Sequence, residues 1–279
     1  MKAKPVLITG CSSGIGLCVA RGLAKRGYWV FATARKSEDV ASLKKEGLES
    51  LKLDLSDSDS IQYAFNQIIT RTGGFLYGLF NNGGFGQPGA LEDLPREALR
   101  NQFETNVFGL HELTRLVLPI MRKKGEGRII QNSSVLGFIA LPFRGAYIAS
   151  KYAIEGLTDT LRLELQGTGV YVCLVEPGPI LSRFRENAFK MYKENIDISD
   201  SPFKTKYGSM EKRLQNEITP LPFTLPGDAV LAKVIHALES SRPKERYYVT
   251  FPTYLFGYLK RILPTRLMDY FLFKASNQE

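Results

Sequence analysis

The chain has 279 residues, 44% of them hydrophobic, enough to bury one substantial core without dividing into separate domains. Its formal net charge of +9 comes from scattered lysines and arginines with no long basic run interleaved with aromatics, so no nucleic-acid partner is expected. Cys11, Cys18 and Cys173 are odd in number and unpaired in spacing, and His111 and His236 lack ligand-like neighbours, so neither a disulfide framework nor a metal site is expected.

Residues 4–9, Lys-Pro-Val-Leu-Ile-Thr, read as a short buried strand that runs into Gly10-Cys-Ser-Ser-Gly14-Ile-Gly16 and a helix to about Arg26. Gly10 reaches backbone angles closed to other residues, Gly14 lets a phosphate approach the main chain, and Gly16 permits close helix packing. Gly10, Ser12, Ser13, Gly14, Ile15 and Gly16 therefore form a candidate phosphate cradle at a helix N-terminus, where free N–H groups and the dipole favour an anion. Cys11 in this loop reads as a small turn residue. The first strand begins within a few residues of Met1, which leaves no room for a signal peptide, and a reduced, cytoplasmic protein is expected.

The second strand, near Val30, ends in Ala34-Arg35-Lys36, where a dinucleotide fold inspects the adenosine ribose. A carboxylate there would bind the ribose 2′-hydroxyl and repel a 2′-phosphate, whereas Arg35 attracts that phosphate, so NADP(H) is favoured over NAD(H). The alternative is an ordinary solvent-facing basic pair. Further strands fall near Leu51, Leu79, Ile129, Val172 and Tyr248, with helical patterns between most of them. The expected fold is a single α/β domain over residues 1–279. It is a Rossmann-like, doubly wound parallel sheet of about seven strands with helices on both faces, and Thr9, Asn82 and Ser134 lie at its carboxyl edge.

Over residues 144–166 a helix would place Tyr147 and Lys151 on one face, the ammonium beside the phenol. A phenol is a weak acid near neutrality unless a nearby cation favours its anion, so Lys151 would tune Tyr147 as a proton donor, and Ser134 would hydrogen-bond the substrate oxygen. Tyr270 and Lys274 repeat the spacing without a cofactor pattern ahead of them and read as a surface pair.

Taken in order, these motifs resemble the short-chain dehydrogenase/reductase (SDR) family over nearly the whole chain. Thr9-Gly-x-x-x-Gly14-Ile-Gly16 is similar to its cofactor motif, Asp54-Leu55 to the dipeptide near the adenine, and Asn81-Asn82-Gly83-Gly84 to Asn-Asn-Ala-Gly, with Gly83 in the alanine's place. The resemblance implies a catalytic set of Asn106, Ser134, Tyr147 and Lys151, and its usual interval to the tyrosine selects Ser134 over Ser133. It further implies cofactor contacts from Asn82, Gly83, Tyr147, Lys151, Pro177-Gly178, Ile180 and Ser182, besides the glycine loop, Arg35, Asp54 and Leu55. The nearest likeness is to bacterial NADP-dependent aldehyde reductases, with 17β-hydroxysteroid and retinol dehydrogenases more distant.

What the resemblance implies is NADP(H)-dependent, reversible reduction of an aldehyde or ketone carbonyl, with a steroid or retinoid dehydrogenase as the alternative enzyme. A catalytically silent NADP(H)-binding sensor is the alternative of another class, against which the complete catalytic set argues. Asn106 would support a water chain resupplying Lys151, and homo-oligomers are common in such families. Residues 181–225 form a long polar segment carrying Phe184, Phe189, Met191, Tyr192, Phe203 and Tyr207, which the resemblance makes the substrate lid. Its apolar side chains suggest a lipophilic small-molecule substrate, unless they only anchor the lid. Residues 250–275 mix aromatics, leucines and basic residues but are broken by Pro252 and Pro264, too interrupted to span a bilayer. They would pack over the substrate pocket or a second subunit, or else lie peripherally on a membrane surface.

Overall fold

The protein is described here by a computed structural model that covers residues 3–215 and 223–276; residues 1–2, 277–279 and 216–222, the last within the expected lid, lie outside the described residues. The first half alternates β1 (Pro5–Ile8), α1 (Gly14–Lys25), β2 (Trp29–Ala34), α2 (Ser37–Lys45), β3 (Glu49–Lys52), α3 (Ser58–Thr72) and β4 (Gly78–Asn81). Then come α4 (Arg96–Phe103), a π-helical turn (Glu104–Phe108), α5 (Gly109–Lys124), β5 (Gly127–Asn132), α6 (Gly145–Glu164) and β6 (Val170–Glu176). The chain closes with α7 (Phe184–Asn195), α8 (Lys204–Gln215), α9 (Asp228–Glu239), β7 (Arg246–Tyr248), α10 (Phe251–Ile262) and α11 (Thr265–Ser276).

Strand order is β3-β2-β1-β4-β5-β6-β7 and every pairing is parallel. A parallel sheet is covered on both faces, so its strands must be apolar at successive positions rather than at alternate ones. In β1, Val6 and Ile8 face one layer with Val19 and Leu23 of α1 and Val230 and Val234 of α9. Leu7 faces the other, with Ile61 and Ile68 of α3 and Leu113 and Val117 of α5. All of these side chains are buried, and each contributes ~1.5–3 kcal/mol relative to an exposed position. The order reverses beside β1, so the loops after β1 and β4 diverge and open a crevice at the carboxyl edge.

Residues 181–225 differ from the loop that their polarity suggests, because they carry α7 and α8. Each helix buries a narrow stripe, Ala188 and Tyr192 on α7 and Tyr207, Met210 and Leu214 on α8, at helical spacing. Tyr192 and Tyr207 stack at 5.5 Å inside a separate small core with Ile196. Phe189, Tyr192, Phe203 and Tyr207 therefore pack into this core and anchor the lid. Tyr270 of the second Tyr-x-x-x-Lys pair lies exposed on α11 with its ring against Phe271. No helix among the described residues is long and apolar enough to cross a membrane.

Candidate active site

The loop after β1 bends through Gly10 at φ +69° and Gly14 at φ +55°, a region that favours glycine. A Cβ on Gly16 would stand 2.2 Å from the Gly10 carbonyl and 2.6 Å from Asn82 Nδ2, so the loop closes onto α1 only with glycine there. Ser13 occupies the N-cap of α1 without a side-chain capping bond, and no acidic residue sits in the first turn. The N–H groups of that turn are thus open to an anion, and this cradle fits the pyrophosphate of a dinucleotide. Ser12 is exposed on its lip, Ile15 packs partly against the core, and Cys11 is buried, its thiol pushed up to about 12 by burial and donating to the Ile8 carbonyl. Ser182 lies across the cradle, its Cβ 2.8 Å from where a Gly14 Cβ would be.

Arg35 is exposed immediately after β2, with no ion-pair partner among the described residues, while neighbouring Lys36 lies 3.6 Å from Glu38. Asp54 accepts from Ser56 N at 3.0 Å and Ser56 Oγ at 2.7 Å and so shapes the turn into α3. Leu55 explains the glycine that stands for alanine: a Cβ on Gly83 would be 2.8 Å from Leu55 Cδ1. Val135 N donates to the Pro177 carbonyl at 2.8 Å, and a Gly178 Cβ would meet Thr250 Oγ1 at 2.1 Å. Ile180 bridges Leu225 at the two ends of the lid.

A relay of hydrogen bonds joins the cradle to the polar cluster. Thr9 Oγ1 accepts from the backbone N–H groups of Asn82 and Gly83 at 3.0 and 2.8 Å, and Asn82 Nδ2 donates to the Thr9 and Gly10 carbonyls. Asn132 Nδ2 donates to Asn82 Oδ1 at 3.0 Å, and Lys151 Nζ donates to the Asn132 carbonyl at 2.6 Å. Asn132 closes this path, yet the motifs did not single it out. Its only sequence signal was its place at the end of β5, two residues before Ser134.

Helix α6 carries Tyr147 and Lys151 one turn apart, with the Lys151 ammonium 5.5 Å from the Tyr147 ring centroid. The Ser134 hydroxyl hydrogen-bonds the Tyr147 phenol and accepts from Leu136 N at 3.1 Å. Burial pushes the phenol up to about 12, with the Ser134 hydrogen bond opposing it. The ring itself keeps part of its surface exposed, so the hydroxyl end is the more deeply enclosed. Burial lowers Lys151 to about 8, against the charge of Glu155 one turn further along the helix. Loss of hydration is the larger of the two influences on the phenol and the Ser134 hydrogen bond the smaller.

Asn106 sits in the π-helical turn between α4 and α5, an irregularity often found at functional sites. Its side chain accepts from Phe85 N at 3.1 Å and donates to the Phe85 carbonyl and to Ser150 Oγ at 3.0 and 3.1 Å. It braces the loop after β4 against α6 without touching Lys151. Phe184, the first residue of α7, sets its ring 5.3 Å from that of Tyr147 and reaches the backbone at Gly86.

Behind this cluster lies a charge network whose members are too far apart in sequence to be linked by pattern. Arg246 Nη1 bonds Glu155 and, at 2.6 Å, Glu176; its Nη2 lies 2.6 Å from Asp159. Ser133 donates to Glu155, so the neighbour of Ser134 is tied to the helix that carries Tyr147. Burial raises Glu176 to about 8, with the Glu155 charge adding to the rise, and raises Glu155 as well. The Arg246 guanidinium stays charged because the two carboxylates override its burial.

The family model for short chain dehydrogenase matches residues 4–193. The chain belongs to the short-chain dehydrogenase family. This short-chain dehydrogenase is similar to the uncharacterized oxidoreductase YbbO of Escherichia coli, 45% identical over 266 residues that span 95% of the chain and 93% of the relative. It is 32% identical to the NADPH-dependent 3-dehydrocapnine reductase of Ornithobacterium rhinotracheale, across 96% of the chain and 95% of that protein. A solved short-chain dehydrogenase from Streptomyces avermitilis superposes with a TM-score of 0.78 at 29% identity, covering 93% of both chains. Solved chains of the same fold have been captured with NAD and with NADPH. The chain is accordingly an oxidoreductase of the short-chain dehydrogenase family.

Proposed function

We propose that this short-chain dehydrogenase reduces aldehyde or ketone carbonyls with NADP(H), with lipophilic aldehydes as its preferred substrates. The observation that carries this reading is the meeting of the Ser134 and Tyr147 hydroxyls, one helical turn from Lys151, at the sheet edge that also holds the cradle. Arg35 supports the choice of cofactor, since it is exposed immediately after β2 and has no ion-pair partner among the described residues that would compete for a 2′-phosphate. The NADPH dependence of the 3-dehydrocapnine reductase agrees with that choice. Phe184, edge-on to Tyr147, supports a lipophilic substrate by giving the cleft an apolar wall.

The dinucleotide, when bound, supplies hydride to the carbonyl carbon. Ser134 holds the carbonyl oxygen by hydrogen bonding, and Tyr147 delivers the proton that the oxygen takes up. A phenol at about 12 releases that proton once the oxygen becomes strongly basic. The Lys151 ammonium, held by the Asn132 carbonyl, steadies the phenolate left behind. With Lys151 at about 8, its charge is largely present at neutral pH and fades above, so reduction slows on the alkaline side. Asn106 keeps the loop after β4 and helix α6 in register. The test is cofactor consumption against medium-chain aldehydes, retinal and ketosteroids. NADPH-dependent turnover of aldehydes bears the proposal out, while NADH preference, or no turnover of any carbonyl, sinks it.

A further inference from the structure

The last two helices have two unlike faces. The inner face of α10 and α11, through Phe256, Leu259, Met268 and Leu272, packs against Leu136, Ile139 and Tyr147, one layer from the cluster described above. Gly257 brings α10 close to the sheet, since a Cβ there would stand 2.6 Å from the Tyr248 ring, and Lys260 donates to the Phe138 carbonyl and to Tyr152. The hairpin is thus firmly seated, and its outer face is no product of a loosely attached tail.

That outer face is apolar. On α10, Phe251, Tyr254, Leu255, Tyr258 and Ile262 recur at helical spacing and are exposed, Tyr258 by 59% and Ile262 by 76%. On α11, Leu267, Tyr270 and Phe271 repeat the pattern, and Phe223 from the end of the lid sets its ring 5.0 Å from that of Phe251, tilted by 37°. Exposed apolar side chains scattered singly need no explanation, but a contiguous run over two consecutive helices does. The charges around it are one-sided: Lys260, Arg261, Arg266 and Lys274 against Asp269 alone over residues 251–276. Arg261, Arg266 and Lys274 have no ion-pair partner among the described residues.

We infer that the outer face of α10 and α11 docks on an anionic lipid bilayer, with the leucine, isoleucine and phenylalanine side chains in the acyl boundary and the tyrosines at headgroup level. Basic residues beside an apolar helical face are complementary to anionic headgroups, and tyrosine suits the water–hydrocarbon boundary. A second copy of this chain is the poorer occupant, because a two-fold contact through this patch sets its excess positive charge against itself. Docked in this way, the chain holds the Phe223 end of the lid at the membrane surface. The surface does not depend on which carbonyl is reduced.

The experiment is co-sedimentation of the full chain with phosphatidylcholine vesicles and with equimolar phosphatidylcholine–phosphatidylglycerol vesicles. Binding to the anionic vesicles is expected, weakening as salt is raised. The double variant Tyr258→Glu, Ile262→Glu should lose it by about tenfold or more. Arg261→Glu with Arg266→Glu, which leaves the apolar face intact, should weaken it as well. Unchanged far-ultraviolet circular dichroism establishes that both variants are folded. The inference is overturned by failure to bind either vesicle, or by variants that bind as the parent does. It is equally overturned by an oligomer in sedimentation velocity that the Tyr258/Ile262 variant breaks while no vesicle binds, which would make the face a subunit interface.

Discussion

Replacing Lys151 by methionine removes a charge that the folded chain holds against its own burial. The fall from 10.5 to about 8 amounts to about 3 kcal/mol against the protonated lysine in the folded state. Below about pH 8 both states carry the proton and the whole penalty is present. Between about 8 and 10.5 the unfolded chain binds more protons than the folded one, so this group makes the parent protein more stable as pH rises. Methionine has no such dependence. Parent minus Lys151→Met stability should therefore grow by about 2 kcal/mol between pH 7 and 9.5, from the two pKa values and the linkage relation. The lost hydrogen bond to Asn132 shifts the difference at both pH values alike, and Glu176, at about 8, titrates in both proteins. Urea unfolding of the cofactor-free proteins, followed by circular dichroism, reads the difference directly. A parent–variant gap that stays constant across this range would refute the claim that burial destabilises the Lys151 charge.

Other outcomes follow from the same geometry. Arg35→Glu should raise the NADPH KM by about 10–100-fold, the loss of a charge-assisted bond, while leaving NADH within a few-fold; equal loss with both cofactors would remove Arg35 from the 2′-phosphate. Arg246→Met leaves Glu155 and Glu176 buried without their cation and should cost about 3–5 kcal/mol above about pH 8, where Glu176 is ionised in the parent. That loss should shrink as acid neutralises the carboxylates, which thermal unfolding against pH will follow. Gly16→Ala should abolish cofactor binding, because its Cβ meets backbone at 2.2 Å, whereas Gly83→Ala meets side chains alone, the end of Leu55 at 2.8 Å and Thr9 Oγ1 at 3.2 Å, and should cost about 1–3 kcal/mol. Isothermal titration and melting of the two variants separate these cases.

Strands β1, β2, β4 and β6 were readable because each is a mainly apolar run buried on both faces, and such runs end at turn residues, whereas β3 and β7, at the sheet edges and partly polar, left a fainter mark. The cradle was readable for a different reason: Gly10, Gly14 and Gly16 stand where side chains would collide or strain the backbone, and that leaves a direct mark in the sequence. Helices α7 and α8 were not, since each buries only two or three residues and is otherwise polar, so their periodicity is faint. Nor was the Arg246 network, whose partners lie 70 to 91 residues apart and meet only through the pairing of β6 with β7 and the packing of α6. Spacing put Lys151 beside Tyr147, but the burial of the phenol depends on surroundings that spacing does not encode.

The most direct test of the proposed chemistry is a single-turnover measurement of NADPH oxidation with a medium-chain aldehyde, comparing the parent protein with Tyr147→Phe, alongside NADPH binding by fluorescence. Turnover by the parent, its abolition in the variant and undiminished NADPH binding in both are expected. Appreciable aldehyde reduction by Tyr147→Phe would contradict the assignment of Tyr147 as the proton donor.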